Sequence, residues 1–298
     1  MSSTVKSLAL GLSLALVVVL GLTVISIAGT RFLLHETYPQ GTPEEVLASA
    51  RAMIENGDAH RLPDLVYADT PDMRALLNQL GRVLGSLQDL AAEVQTAYPD
   101  EIAALKAQAA AAAASGQSSS FIQKLAGQAT MSRRDRRSQD PKAARALFDN
   151  AAKELFADPY GWLAESESRI SIQSMTTETA AILWDKKPVF GVGLMMREQG
   201  GKWYITIPPN PMLARVLPKS EESWTIMGNL MDVFDNTIKD LTKEVRTGKV
   251  PMLDDLARSA GEKAFIPAAI TLFAFSKAME AERKEQKARQ QPAPKPAG

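Results

Sequence analysis

The chain has no cysteine and only two histidines, and its charges cancel. The absence of cysteine excludes disulfides, thiol nucleophiles, iron–sulfur clusters and thiolate zinc sites. His35 and His60 lie 25 positions apart, which matches no metal-ligand spacing, so we expect no metal site. With 34 basic and 34 acidic side chains, the protein has no overall field that would hold it on nucleic acid.

Catalytic motifs are absent as well. The sequence contains no serine-histidine-acid set, no phosphate loop and no motif of paired carboxylates. Gly191-x-Gly193 lies in a strand pattern without a following helix, which favours a bulge or close packing over dinucleotide binding. Asp58 and His60 follow a helix-ending glycine and indicate a turn or cap rather than a catalytic dyad. We therefore expect neither enzymatic activity nor a cofactor.

A long hydrophobic run is present near the amino terminus. Residues 8–29 contain no charge, and a membrane helix needs about 20 such residues. The leucines, valines and isoleucines of this run favour insertion by several kcal/mol. We therefore expect residues 8–29 to contact lipid as a retained anchor. Ser26-Ile27-Ala28 has the small-x-small pattern of a cleavage site, so a cleaved signal peptide is the alternative.

The charges that flank this run predict its orientation. Lys6 and the free amino terminus precede it, whereas Arg31 is followed by Glu36 and other acids. The positive-inside rule then places the amino terminus in the cytoplasm. We expect a single-pass membrane protein with the bulk of the chain extracytoplasmic.

Two helical patterns follow a short linker. Thr42-Pro43-Glu44-Glu45 begins a helix that Asn56-Gly57-Asp58 ends. From Asp72 onward, leucines and valines recur at intervals of four and three as a heptad seam. We predict that residues 72–114 form an antiparallel hairpin turning at Thr96–Pro99, with Gly81 and Gly85 allowing close approach. The seam is either an interface for self-association or a protein partner, or it is buried in the chain's own core. Its residues are Leu76, Leu80, Val83, Leu87, Leu90 and Val94.

Arg133–Arg145 has an excess of basic residues without interleaved aromatic residues. This pattern favours a solvated loop over a patch for anionic lipid.

A β-prone region begins at Arg169. Alternating apolar residues and the Gly200-Gly201 turn predict a four-stranded antiparallel meander over residues 169–208, which proline residues end. Trp184, Phe190 and Trp203 are candidates for lining an apolar pocket, although core packing is the more economical interpretation. The meander is expected to pack its tryptophan-bearing face on the helix at Thr42–Asn56.

The carboxy-terminal part returns to helix. Ser220-Glu221-Glu222 caps a strongly amphipathic helix, and Pro251 opens another helical region. Phe265–Phe275 is apolar but too short to span a bilayer, and residues after about 289 have the composition of a disordered tail. The expected units are 1–31 (cytoplasmic stub and anchor), 32–41 (linker), 42–71 with 143–217 (α+β domain), 72–142 (helical hairpin insertion and basic loop), 218–289 (carboxy-terminal helices) and 290–298 (tail).

The segment TPEEVLASARAMIENGDAHRLPDLV, residues 42–66, with its helix and glycine-aspartate turn, and the later meander ending in GGKWYITIP together resemble the nuclear-transport-factor-two-like superfamily of cystatin-like α+β cones. This resemblance covers residues 42–66 and 169–208, and about 70 residues of helical insertion and two later helices depart from the pattern. It implies a cavity between a bent sheet and its helices. Enzymes of that superfamily place ionisable residues on the concave sheet face, whereas the strands here are dominated by apolar residues.

The sequence as a whole predicts an α+β fold with an N-terminal transmembrane helix, a small cone-like domain, a helical hairpin insertion and carboxy-terminal helices. The expected role is that of a membrane-anchored extracytoplasmic interaction or scaffold module without catalysis. The alternative is a binder or sensor of a small apolar ligand in the cone.

Overall fold

A computed structural model describes residues 38–114, 152–160, 169–188, 194–206 and 218–290. The predicted anchor at 8–29, the segment Arg133–Arg145, Phe190 and residues 291–298 lie outside these described residues. The described part is an α+β protein with a four-stranded antiparallel sheet and several helices, which confirms the predicted class. A single hydrophobic core runs through these elements.

Helix α1, Pro43–Glu55, begins and ends where its sequence predicts. The Oγ1 of Thr42 accepts a hydrogen bond from the backbone N–H of Glu45 at 3.1 Å, and Gly57 follows the helix with a φ of +83°, a conformation that favours glycine. A 3-10 helix over Ala59–Leu65 comes next and packs beside the following helix, Pro71–Ala97. These two elements carry the chain from the linker to the sheet.

The strands are β1 Ile170–Ser174, β2 Thr179–Trp184, β3 Lys187–Pro188, β4 Leu194–Gln199 and β5 Lys202–Thr206. They form the predicted meander, in the order β1-β2-β4-β5 with each pair antiparallel. Gly200 and Gly201 join the last two strands with φ values of +62° and +78°, as a two-residue hairpin turn requires. A two-residue strand, β3, pairs with β2.

One face of this sheet is buried, and its last strand is protected. The buried residues come from three strands: Ala180, Ile182, Leu194, Met196, Trp203 and Ile205. Gln40 accepts a hydrogen bond from the Trp203 N–H at 2.7 Å, and Tyr67 donates to the carbonyl of Ile205 at 2.9 Å. Gln40 precedes α1 and Tyr67 follows the 3-10 helix, so the chain on both sides of α1 covers this edge strand. Helix α1 itself contacts β5, as predicted.

Four further helices complete the described fold: α2 Pro71–Ala97, α3 Pro99–Ala114, α4 Glu221–Arg246 and α5 Leu253–Gln290. Residues 152–157 are also helical, and Lys153 forms an ion pair with Asp254 of α5. Helices α2 and α4 run side by side and parallel. Three contacts that follow the same order along both helices fix this direction: Arg82 with Asp232, Ser86 with Asp235, and Glu93 with Arg246.

The predicted hairpin of residues 72–114 is wrong in its pairing. Only Tyr98 separates α2 from α3, and the main helical partner of α2 is α4 rather than α3. Gly81 and Gly85 do permit a close approach, but to the 3-10 helix. A Cβ atom on Gly81 would lie 2.3 Å from the carbonyl oxygen of His60. The heptad seam specified an apolar partner without specifying which one.

Helix α5 runs antiparallel to α4, since Glu244 contacts Ser259 near one end and Ser220 contacts Glu282 near the other. It bends by 41° between the arms Leu253–Ala264 and Ile266–Glu282. Pro267 lies next to the bend, and a proline inside a helix causes such a kink because it removes a backbone hydrogen bond. Within the described part of the chain, no single helix is long and apolar enough to cross a membrane; the two arms of α5 reach that length and composition only together. Leu256 and Phe275, one in each arm, are buried.

Candidate interaction face

The residues predicted to line a pocket are not brought together as a group. Trp184 and Trp203 share the buried face of the sheet, but Trp203 lies opposite Glu198. The N–H of Glu198 bonds to the carbonyl of Glu178, six residues before Trp184 on the same hairpin arm. At about 3.3 Å per residue, the two tryptophans are about 20 Å apart along the strands. Phe190 lies outside the described residues, and the ligand-binding alternative stays a prediction.

Trp184 and Trp203 also differ in their surroundings. Trp203 is 9% exposed and belongs to the core. Trp184 is only partly buried, and the Arg169 guanidinium lies over its ring at 4.8 Å from the centroid. Arg169 also bonds to both carboxylate oxygens of Asp185, which lowers the pKa of that carboxyl. This exposed cluster fixes the turn after β2.

The predicted interaction seam is not a free surface. Leu80, Val83, Leu87, Leu90 and Val94 are buried, and Leu76 is partly buried against the same core. Their burial supports the second alternative, in which α2 packs against the chain's own helices. A heptad pattern shows that one face of a helix is apolar, but it does not show whether the partner of that face belongs to the same chain.

Asp58 and His60 do not form a dyad. The Asp58 carboxylate accepts a hydrogen bond from the Tyr38 hydroxyl at 2.6 Å. The His60 side chain is exposed, while its backbone lies against Gly81. Asp58 therefore fastens the start of the described chain to the turn after α1.

The most strongly perturbed carboxylate in the described residues is Glu244, near the end of α4. Its Oε1 accepts a hydrogen bond from Lys249 at 2.5 Å, and its Oε2 accepts from Ser259 and Lys263, each at 2.9 Å. Hydrogen bonds from Lys249 and Lys263 lower the pKa of Glu244 to about 2, against the opposing effect of burial. Ser259 and Lys263 belong to α5, so this cluster ties the α4–α5 connection together.

A second carboxylate closes the other end of the same helix pair. Glu282 of α5 accepts a hydrogen bond from the backbone N–H of Ser220 at 2.9 Å and another from its hydroxyl. Burial opposes ionisation of Glu282, but the hydrogen bonds from Ser220, Ser223 and the Lys219 backbone hold its pKa below the ordinary value. A carboxylate at the N-terminus of α4 also complements the helix dipole.

Buried polar groups at the α2–α4 contact are likewise paired within the fold. Ser86 donates to the buried Asp235 at 2.6 Å, and Lys239 contacts the other oxygen of Asp235 at 2.7 Å. Within the described ranges, no three histidine, aspartate or glutamate side chains converge as a metal site. Glu244 and Glu282 join α4 to α5, and Asp235 joins α4 to α2.

The feature that internal packing does not account for is an apolar stripe on α5, which we define as Ile266, Ile270 and Phe273. Their exposed fractions are 65%, 65% and 57%. Spacings of four and three residues place them on one helix face, and Ala269 and Ala274 beside them are also exposed. The opposite face of α5 is buried through Phe275 and Met279. Neighbouring large apolar residues exposed on one helix are typical of an interaction surface.

Charges of opposite sign stand at the two ends of the stripe. Glu262 lies four residues before Ile266, on the arm that precedes the bend. Lys277 lies four residues after Phe273, on the same face of the second arm as the stripe. The Lys277 Nζ is 5.8 Å from the centre of the Phe273 ring and 3.8 Å from Glu280. No ion-pair partner of Glu262 is found among the described residues. The stripe is therefore an apolar centre with an acidic end and a basic end.

Sequence reasoning missed this stripe although its signal is present. Residues 264–276 carry no charge, and the helical spacing of Ile266, Ile270 and Phe273 is readable in the sequence. The same residues are also apolar enough to resemble a membrane span, but they are too few to cross a bilayer. The sequence does not indicate which face of this helix is exposed, because that depends on where α4 packs.

We found no family model, curated protein or solved structure that matches this chain. The resemblance to the nuclear-transport-factor-two-like superfamily therefore stays a prediction.

Proposed function

We propose that this protein is a noncatalytic interaction or scaffold module, held at a membrane by residues 8–29, whose contact surface is the apolar stripe on α5. The bulk of the chain then lies on the extracytoplasmic side. The first described residue, Tyr38, follows residue 29 by nine positions, which span at most about 30 Å. The folded part is thereby kept close to the bilayer.

The observation that carries this proposal is the exposure of Ile266, Ile270 and Phe273 on one face of α5. A folded chain gains by burying such residues, at about 25 cal/mol per Å² of apolar surface. The predicted seam on α2 and the sheet's tryptophan face are already used internally. Among the exposed large apolar residues of the described part, these three share one helix face, so the stripe is an apolar surface available for a partner.

A noncatalytic role is supported by the ionisable groups. Glu244, Glu282 and Asp235 each bond to groups of neighbouring helices or turns, and Asp58 bonds to Tyr38. Each of these carboxylates therefore has a structural partner that accounts for it.

Site-specific photo-cross-linking tests the proposal in membranes of cells that produce the full chain. A photoreactive phenylalanine, p-benzoylphenylalanine, replaces Phe273 in one variant and Met175 in a matched control. Met175 is 60% exposed but lies in the turn between β1 and β2, far from the stripe in sequence. We expect protein adducts of defined mass from position 273 and none from position 175.

Adducts with lipid alone, or equal labelling from both positions, would contradict the proposal. Circular dichroism of both purified variants checks that the helices are intact, so that a loss of adducts cannot be assigned to unfolding.

A further inference from the structure

We infer that the partner of the apolar stripe is a second copy of this chain, paired through α5 in an antiparallel arrangement. This inference rests on the proposed function, because it names the partner of that surface. It is carried by how charge is distributed about the stripe.

The charges become complementary only when two copies of α5 run in opposite directions. If a two-fold axis passes between Ala269 and Ile270, each Ile266 lies opposite the partner's Phe273. Glu262 then lies opposite the partner's Lys277 on both sides of the axis. A parallel pair would instead place Glu262 against Glu262 and Lys277 against Lys277, which opposes association.

The same axis satisfies the apolar residues. The two-fold related contact is isologous, so one surface serves both copies and closes as a dimer. Ile266 and Phe273 from each chain cover one another, and the small Ala269 lies beside the partner's Ile270 at the centre. The 41° bend of α5 lies between Ala264 and Ile266. Ile266, Ile270 and Phe273 therefore pair along the second arm, and Glu262 meets the partner's Lys277 from the turn just before the bend.

A membrane surface fits this face less well. Stripes that bind anionic lipid carry lysine and arginine along their polar border. Here the amino-terminal border carries Glu262, and Lys263 beside it is already engaged with Glu244. An acid at one end and a base at the other match a second copy of the same stripe.

Cysteine cross-linking tests the predicted axis directly. Because the natural chain has no cysteine, Ala269→Cys introduces a single thiol. This position lies on the same helix face as the stripe and directly beside the proposed two-fold axis between Ala269 and Ile270. We expect a short thiol-specific cross-linker to convert Ala269→Cys in membranes to a species of twice the chain mass. The matched control is Lys284→Cys, also exposed on α5, whose two copies would be about 40 Å apart at about 1.5 Å rise per residue.

Charge reversal tests the direction of pairing on the full chain purified in detergent. Sedimentation equilibrium should show that Glu262→Lys alone and Lys277→Glu alone each raise the dimer dissociation constant at least about tenfold, since each puts like charges in contact. The double variant Glu262→Lys with Lys277→Glu should restore the original value. A mixture of the two single variants should also associate.

The outcomes separate this inference from the proposed function. Absence of the Ala269→Cys dimer, or a double variant as weak as the single ones, would overturn the antiparallel self-association. If protein adducts from position 273 then have a mass other than twice the chain, the stripe binds a different protein and only the partner named here is wrong. If position 273 gives lipid adducts alone, both proposals fail.

Discussion

Glu244 ties the end of α4 to α5, and Glu244→Gln should destabilise the folded chain in a pH-dependent way. The carboxylate accepts hydrogen bonds from two lysines and a serine, and the residue is 8% exposed. Glutamine keeps the size of the side chain but removes the negative charge. Lys249 and Lys263 would then face a neutral amide that is a weaker acceptor for their charge-assisted hydrogen bonds.

The size of the effect follows from the pKa. The lysine hydrogen bonds move the pKa of Glu244 from 4.5 to about 2. At about 1.4 kcal/mol for each tenfold change in acidity, this difference corresponds to at most about 3.5 kcal/mol of stability. The Lys249 side chain is 71% exposed, so solvent screening reduces its share. We expect Glu244→Gln to lower the free energy of unfolding by about 2 kcal/mol at neutral pH.

The sign of the pH dependence is fixed by the direction of the shift. Because the folded pKa is below the unfolded one, the unfolded chain takes up the proton first as the pH falls. The contribution of Glu244 is complete above the unfolded value of 4.5 and is lost as the pH falls to about 2. The difference in stability between the natural chain and Glu244→Gln should shrink across this window.

Urea unfolding of the full chain in detergent, followed by tryptophan fluorescence at a series of pH values, measures this difference. Subtracting the variant's curve removes the titration of all other groups. Glu178→Gln, in an exposed turn, is the matched control and should change stability little at any pH. A Glu244→Gln difference that stays constant between pH 7 and pH 2 would refute the assigned lysine cluster.

Three further predictions use stability and localisation. Gly81→Ala should destabilise the chain by about 1–3 kcal/mol, because the added methyl group meets the backbone carbonyl of His60. Gly261→Ala is the control, because it has open space around it, and it should stabilise the chain by up to about 1 kcal/mol in the same urea assay. Equal effects of the two substitutions would contradict the close approach at Gly81. Trp203→Ala should cost about 3–5 kcal/mol, and a neutral result in urea would exclude a core position. Arginine at both Leu16 and Val18 should release the protein from membranes or block its export, at about 2.5–3.5 kcal/mol for each charge; unchanged recovery in the membrane fraction would defeat the anchor.

Features set by neighbouring residues could be predicted from the sequence. Thr42 and Ser220 cap α1 and α4 as expected, since a cap depends on three or four consecutive residues. Gly200-Gly201 forms its hairpin turn because both positions need positive φ, which glycine adopts without strain. The alternation of apolar and polar residues along β5 also predicts its buried face correctly, because successive side chains of a strand point to opposite faces.

Pairings between distant segments could not be predicted in this way. The parallel contact of α2 with α4 joins residues such as Ser86 and Asp235, which are 149 positions apart. Nothing local distinguishes α4 from α3 as the partner of an apolar seam. Gly81 and Gly85 of α2 are points of close approach, as the sequence predicts, but the element that approaches them is the 3-10 helix and not α3.

The α5 stripe shows what sequence and structure each contribute to the proposed role. In residues 264–276 the sequence is uncharged all round the helix, and a helix of that kind requires apolar cover on more than one side. Periodicity alone does not say where the cover comes from. The structure supplies it on one side, where Phe275 and Met279 are buried, and leaves Ile266, Ile270 and Phe273 exposed. A partner that binds the exposed side would supply the missing apolar cover. The acidic and basic ends of the stripe match the basic and acidic ends of a second α5 that runs in the opposite direction.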